Sequence, residues 1–425
     1  MRASYVLIAA TALAAGLMLG QQATPVQGQS QPTRVAAVPS EKGGQDPFGA
    51  YDVVAGWPKP LSQLPGHEKW TWGAGQSVFA ESPNRVFILQ RGELPVVERP
   101  KTIKVAPSIE FPLFRLPMRD ATTASPPGAL FGPDGKTPGN DLDAGQPGVD
   151  YRWEHNIIVV NANGDIIEDW TQWDKMLRRP HAVYISPYDA EKNVWIVDDY
   201  RHAIFKFSND GKRLLQTIGE PNVPGNDDKH FYRPTFMAWL PDGTFFVADG
   251  YANTRVVKFD RNGKYLATWG QKGTPPEKRP GYFNNVHGIA VDPMTRRVFV
   301  NDRQNGRAQV FDENGKFLND WSFGPRGVSD IHLFIITSDR FLWAADRGTS
   351  KILKYDLDGN FLYSWGTWGD FPGAFWGVHG MAVDAEGNFY TSAVDSGGAQ
   401  KFRPRRGANP AFLLGKQVTP AWGTK

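Results

Sequence analysis

Three histidines, His181, His287 and His379, open apolar runs that read alike: Pro180-His181-Ala182-Val183, Val286-His287-Gly288-Ile289 and Val378-His379-Gly380-Met381. Three neutral imidazoles can hold a divalent cation and leave a coordination position open for water or substrate, which is what a catalytic zinc requires. Ligand type alone leaves copper and iron open as well. A lone histidine at a strand start usually fills a core, but the chain has only 8 His, and three share one slot of a recurring unit. A second slot carries Arg91 after Leu89-Gln90, Tyr251 after Asp249-Gly250, and Arg303 after Asp302. Arginine offers a planar fork suited to a carboxylate. A tyrosine beside a dication and two guanidiniums can act as a base. Together with a Lewis acid acting on a substrate oxygen, the set points to a small acid or a peptide C-terminus as substrate.

For these side chains to meet, the units that carry them must surround one axis. One unit runs from His181 through Asn193-Val-Trp-Ile-Val-Asp198 and Ala203–Phe207 to Leu214–Gly219; the next repeats the pattern from Thr235 to Gly270. Further copies begin near His287, Ser329 and His379, and a degenerate first copy runs Gln76–Leu89 and resumes at Asn156–Val160 and Ile166–Trp170. Four short strands per unit, at a period of roughly 40–50 residues, are the signature of a propeller blade. The expected fold is therefore all-β, a six-bladed β-propeller over residues 50–407. Asp-Gly and Asn-Gly pairs between the strands read as hairpin turns with φ > 0 at both central positions. Tyr51–Ala55 is the expected strand that completes the last blade and closes the ring, which removes an exposed sheet edge. In this frame His occupies every even blade, while Gln76, Thr235 and Ser329 stand at the slot in odd ones, so the three imidazoles converge. His202 and His230 are expected in structural roles, and His67, His155 and His332 fit no pattern. Residues 99–150, rich in Pro and Gly, form an insertion in blade one without periodicity, expected near the channel mouth; residues 408–425 are a tail.

Composition sets outer limits. The 47 Lys and Arg nearly balance the 44 Asp and Glu and are interspersed with them, which argues against a nucleic-acid surface. The absence of Cys excludes disulfides, thiolate ligands and a lipoprotein anchor. Arg2 followed by the apolar run Tyr5–Leu19 reads as an export signal over residues 1–24, with a disordered leader over 25–49. The mature chain is expected to be periplasmic or secreted, with no membrane span after signal cleavage. Its oligomeric state is left open.

The motifs match a family. The chain resembles the NHL-repeat propellers and, among them, the peptidyl-α-hydroxyglycine α-amidating lyases, over about Tyr51 to Arg403. The match rests on Leu89-Gln90-Arg91-Gly92-Glu93, Asp249-Gly250-Tyr251-Ala252-Asn253-Thr254-Arg255, Asp302-Arg303-Gln304-Asn305-Gly306-Arg307 and the three His segments. The resemblance implies Zn²⁺ on His181, His287 and His379, with Tyr251 as base and Arg91 and Arg303 positioning the substrate. The reaction implied is cleavage of an N-acyl-α-hydroxyglycine, or a similar carbinolamine, to an amide and glyoxylate. It also implies a structural Ca²⁺, to which the backbone carbonyls of Val78 and Val183 could contribute. Gly380 stands where the family has an Asp ligand, and Gly377 replaces an apolar substrate-contact residue. No monooxygenase segment is recognised, so hydroxylated substrate is expected from another source. Two other readings remain open: a non-catalytic propeller that binds a peptide, protein or cell-wall ligand, and a lactonase-type hydrolase, which the His slot argues against.

Overall fold

The computed structural model describes residues 46–96, 148–324 and 328–416, together with the backbone of an antiparallel strand pair, Thr102–Ala106 and Ile109–Pro112. The expected signal, most of the leader and the end of the tail lie outside the described residues. Among the described residues there are six four-stranded antiparallel sheets, arranged as a six-bladed propeller. The first three strands of blades two to five are almost wholly buried, whereas outer strands such as Tyr265–Trp269 alternate between half-buried and exposed. That gradient follows from stacking blades face to face around an axis, with the outermost strand at the rim. Among the described residues, no helix is long and apolar enough to cross a membrane.

The turns between third and fourth strands differ from the expected geometry. In the turn Asp260–Lys264 only Gly263 has positive φ, at 82°. Asp260 Oδ1 accepts from the backbone N–H groups of Asn262 and Lys264, both at 2.9 Å, and the pairing shifts register at Lys258/Phe259. This is a hairpin with a bulged glycine rather than a two-residue turn; the Asp side chain folds the loop, so Asn262 need not enter the left-handed region. The same Asp-anchored loop recurs at Asp312 and Asp356. It also mates neighbouring blades, because a Cβ at Gly315 or Gly359 would overlap the ring of Trp269 or Trp321 from the preceding blade.

The ring closes as expected through the N-terminal strand. Tyr51–Val53 pairs antiparallel with Ala399–Pro404 of the last blade, Tyr51 opposite Pro404. Tyr51 is buried, stacks on Trp365 at 5.6 Å and accepts the Leu414 N–H at 2.8 Å. Tyr51→Ala would leave a cavity at the closure and an unpaired backbone donor, so it is expected to destabilise the fold by about 3–5 kcal/mol. Chemical denaturation of the variant beside wild type measures this.

Candidate active site

The inner strand of every blade shifts register at its slot residue, for example between Pro180 and Ala182 and between Val286 and Ile289. Such a bulge re-aims one side chain out of the ladder, and here it turns the slot residues toward the axis. His181, His287 and His379 are buried there, with one ligand atom from each within 4.8 Å of the others. Their ring centroids are 4.7–5.2 Å apart.

Hydrogen bonds running from blade to blade fix the rings. His181 Nδ1 donates to the Thr235 carbonyl at 2.9 Å, His379 Nδ1 to the Gln76 carbonyl at 2.7 Å, and His287 Nδ1 to the His332 carbonyl. A carbonyl only accepts, so each Nδ1 carries the proton and each Nε2 presents a lone pair. Burial first, then the neighbouring imidazoles, holds His181 well below the ordinary histidine value; for His287 the Arg303 charge follows burial. His379 is pushed down to about 3 by burial, with Arg91 and Arg303 adding to it. The rings are thus neutral and ready to ligate.

Tyr251 Oη lies 3.1 Å from His181 Nε2 and 2.8 Å from His287 Nε2. Both nitrogens accept, and one hydroxyl has a single proton to give, so one lone pair always faces the phenol oxygen. A divalent cation among the Nε2 atoms would resolve that conflict. With donated Nδ1 protons orienting every ring, the residues fit a three-imidazole zinc site. Tyr251 reaches this place because Gly250 lengthens the blade-three connection, and a Cβ at Gly250 would overlap the Val286 carbonyl.

Charged groups surround the phenol. Arg303 donates from Nε and Nη2 to the two oxygens of Asp330 at 2.6 and 2.9 Å. Burial works against its charge, but Asp330 and Tyr251 raise the guanidinium above its ordinary value. Arg91 is buried, and its Nε has no hydrogen-bond partner among the described residues. Burial, and then Arg179, lowers its pKa.

Sequence reasoning missed several members. Arg233 lies over the Tyr251 ring at 4.6 Å and places Nε and Nη2 on Asp199 Oδ2 at 2.9 and 2.7 Å. Burial alone would raise the Asp199 carboxyl, yet Arg233, Arg179 and Arg91 hold it below the usual range. Arg347 adds another guanidinium, 3.9 Å from Asp330 and paired with Asp395. Among the described residues, Arg91, Arg179, Arg233, Arg303 and Arg347 thus gather with Asp199, Asp330 and Asp395 at this end of the channel. The slot in blade five also requires correction: it holds His332, not Ser329, so strict alternation fails and four of six slots carry His. Ser329 instead donates to Asp346 at 2.9 Å. His332 is buried, donates Nδ1–H to the Val378 carbonyl at 2.9 Å, and has its ring 5.0 Å from that of His379. His202 and His230 lie off this site; His202 Nδ1 accepts the Arg233 N–H at 3.3 Å and His230 pairs with Asp227 at 2.8 Å.

No family model matches the chain. Among curated proteins it is 40% identical over 243 residues to peptidyl-alpha-hydroxyglycine alpha-amidating lyase 2 of Drosophila melanogaster, covering 55% of this chain and 56% of that one. Lyase 1 of the same species is 37% identical over 173 residues, 39% of this chain and 31% of that protein. Peptidyl-glycine alpha-amidating monooxygenase A of Xenopus laevis is 35% identical over 175 residues, 41% of this chain and 18% of its own length. The chain is a relative of the peptidyl-α-hydroxyglycine α-amidating lyases. It spans little more than half the length of these proteins at most. Against the amidating-lyase pattern, position 380 leaves no room for an Asp: a Cβ on Gly380 would overlap Ser392 Oγ and fall 2.8 Å from Ser77 Cα and Val78 N. The Val78 and Val183 segments are ordinary ladder strands, opposite Ile88 and Ile196. Position 380 therefore supplies no carboxylate to the calcium site that the resemblance implied. At Gly377, a Cβ would meet the Asp395 carboxylate, so a charged group occupies the place of the lyases' apolar contact.

Proposed function

We propose that this chain is a zinc-dependent carbon–nitrogen lyase that cleaves an N-acyl-α-hydroxyglycine, or a closely similar carbinolamine, to an amide and glyoxylate. The observation that carries the reading is Tyr251 Oη held between the Nε2 atoms of His181 and His287 in an arginine-rich mouth. His181, His287 and His379 would hold the zinc, which supplies Lewis acidity toward the substrate oxygen. Tyr251 takes the proton of the carbinol hydroxyl. The O–H electron pair becomes the second C–O bond of glyoxylate as the C–N bond breaks, and its electrons leave with the amide nitrogen, which accepts a proton. Arg91 and Arg303 bind the substrate carboxylate and stay protonated throughout. Arg233 lies over the Tyr251 ring at 4.6 Å and holds it in place for that transfer.

The test is incubation of purified protein with N-acyl-α-hydroxyglycines of several acyl groups, following glyoxylate with and without a chelator. Release that the chelator abolishes and zinc restores is the expected result. No chelator-sensitive release with any acyl group would return the chain to the class of non-catalytic binding propellers. The apolar run Tyr5–Leu19 supports export, so the lyase is proposed to act outside the cytoplasm; fractionation of expressing cells tests this.

A further inference from the structure

A second group of ligating side chains lies away from the axis, at the base of blade one's long inner hairpin, Trp70–Ser82 with Arg85–Pro95. Its centre is Glu93, whose side chain is wholly buried. One Glu93 oxygen accepts from His67 Nδ1 at 2.8 Å and the other from His155 Nδ1. Both protons therefore sit on Nδ1, and both Nε2 lone pairs point away from Glu93. His155 is held in the left-handed region, φ 58°, with its backbone N–H on Asp174 Oδ2 at 3.0 Å. A bulky residue adopts that conformation only where its surroundings impose it. The result is that His155 Nε2 faces Asp169 Oδ2 at 3.0 Å, while His67 Nε2 faces Glu154 Oε2 at 3.8 Å.

A lone pair against a carboxylate oxygen is repulsive unless a proton or a cation lies between them. In a metal-free molecule a proton on His155 Nε2 can bridge it to Asp169. His67 has no such close carboxylate on Nε2, and a proton on His155 does nothing for it. Among the described residues, Arg152 is the cation beside this group, its Nη1 3.4 Å from His67 Nδ1 and donating to the Gly66 carbonyl. One ligand atom from each of His67, Glu154 and His155 lies within 4.8 Å of the others. Donors bound at ~2.0–2.2 Å to one tetrahedral ion stand roughly 3.3–3.6 Å apart, so a small side-chain adjustment suffices.

We propose that His67 Nε2, His155 Nε2 and the carboxylates of Glu154 and Asp169 form a second metal site for a first-row divalent cation such as Zn²⁺. Glu93 is the buried anchor that orients both imidazoles, the arrangement by which carboxylates fix metal-bound histidines. Four protein ligands close the coordination sphere, so the ion is structural and independent of the axial lyase site. It would pin the blade-one residues next to the Glu93–Arg152 bridge.

Co²⁺ binding to metal-free full-length protein tests the site, with bound metal quantified after gel filtration and the visible bands recorded. His67→Gln and Asp169→Asn should each bind one equivalent fewer than wild type. His379→Ala, which removes an axial ligand and leaves His67, Glu154, His155 and Asp169 unchanged, should keep one equivalent and show the bands of a mixed nitrogen–oxygen environment. Unchanged stoichiometry in both His67→Gln and Asp169→Asn, or a His379→Ala protein that binds no Co²⁺, would overturn the proposal and leave His155 as an imidazolium between two carboxylates. The His379→Ala arm decides even if the blade-one variants fold poorly.

Discussion

Tyr251→Phe should keep its metal and lose turnover by a factor of ~10²–10⁴ in kcat, the range for removing a general base, with KM little changed. The substitution deletes one oxygen. The ring that remains still lies under Arg233 at 4.6 Å and edge-on to His181 and His287, with centroids 5.3 and 5.1 Å away. The packing that shapes the site therefore survives, and the three Nδ1–carbonyl bonds that aim the imidazoles do not involve Tyr251. If Arg91 and Arg303 hold the substrate carboxylate, ground-state binding is also preserved, which places the loss in kcat. Steady-state glyoxylate release and metal analysis on the same preparation measure both halves. A variant within a few-fold of wild type would mean that another group takes the proton. Loss of metal along with activity would make Tyr251 a ligand rather than a base.

Much of this site could be read from the chain because a propeller converts sequence period into radial position. Residues at one slot of the repeat must end at one radius, so His181, His287 and His379 could be assigned to the axis without coordinates. Arg91, Tyr251 and Arg303 followed from the antiparallel return of the second strand. His332 escaped because its opening, Ile331-His332-Leu333, shares neither the Pro-His nor the Val-His-Gly pattern of the other three, and Ser329 reads as the start of blade five. The hairpin interval would have found it: His332 precedes Asp346 by the same spacing as Thr235 precedes Asp249 and His379 precedes Ala393. Arg233 and Asp330 were out of reach for a different reason. They lie in the lead-ins to blades three and five, and only three-dimensional packing shows that Arg233 turns back over Tyr251. A family pattern records that the Asp is missing at position 380 but not that Ser392 and the Ser77–Val78 backbone have filled its place. The blade-one cluster was equally hidden: Glu93 meets His155 only across the insertion, and nothing periodic links them.

His379→Ala is the substitution expected to empty the axial site altogether. Apparent zinc affinities of roughly 10–16 kcal/mol, shared over three comparable ligands, assign ~3–5 kcal/mol to each, a factor of about 10²–10⁴ in Kd. At a metal concentration that just saturates wild type, the axial site of the variant should therefore be vacant and glyoxylate release at background. The same imidazole also donates to the Gln76 carbonyl, across the seam between the last and first blades, from a residue 303 positions away in sequence. Its removal leaves that buried acceptor unpaired, at about 1–3 kcal/mol. The metal-free variant should thus unfold at a lower temperature than metal-free wild type. His379→Asn separates the two roles, since its Nδ2 amide stands where the imidazole Nδ1 did and can still donate to the Gln76 carbonyl, while no atom reaches the Nε2 position to ligate metal. Stability recovered in His379→Asn with activity still absent assigns the seam bond to folding and the Nε2 lone pair to the metal. Glyoxylate release persisting in either variant would show that the reaction does not need the tripod, and a lyase mechanism would have to be rebuilt around Tyr251 and the arginines alone.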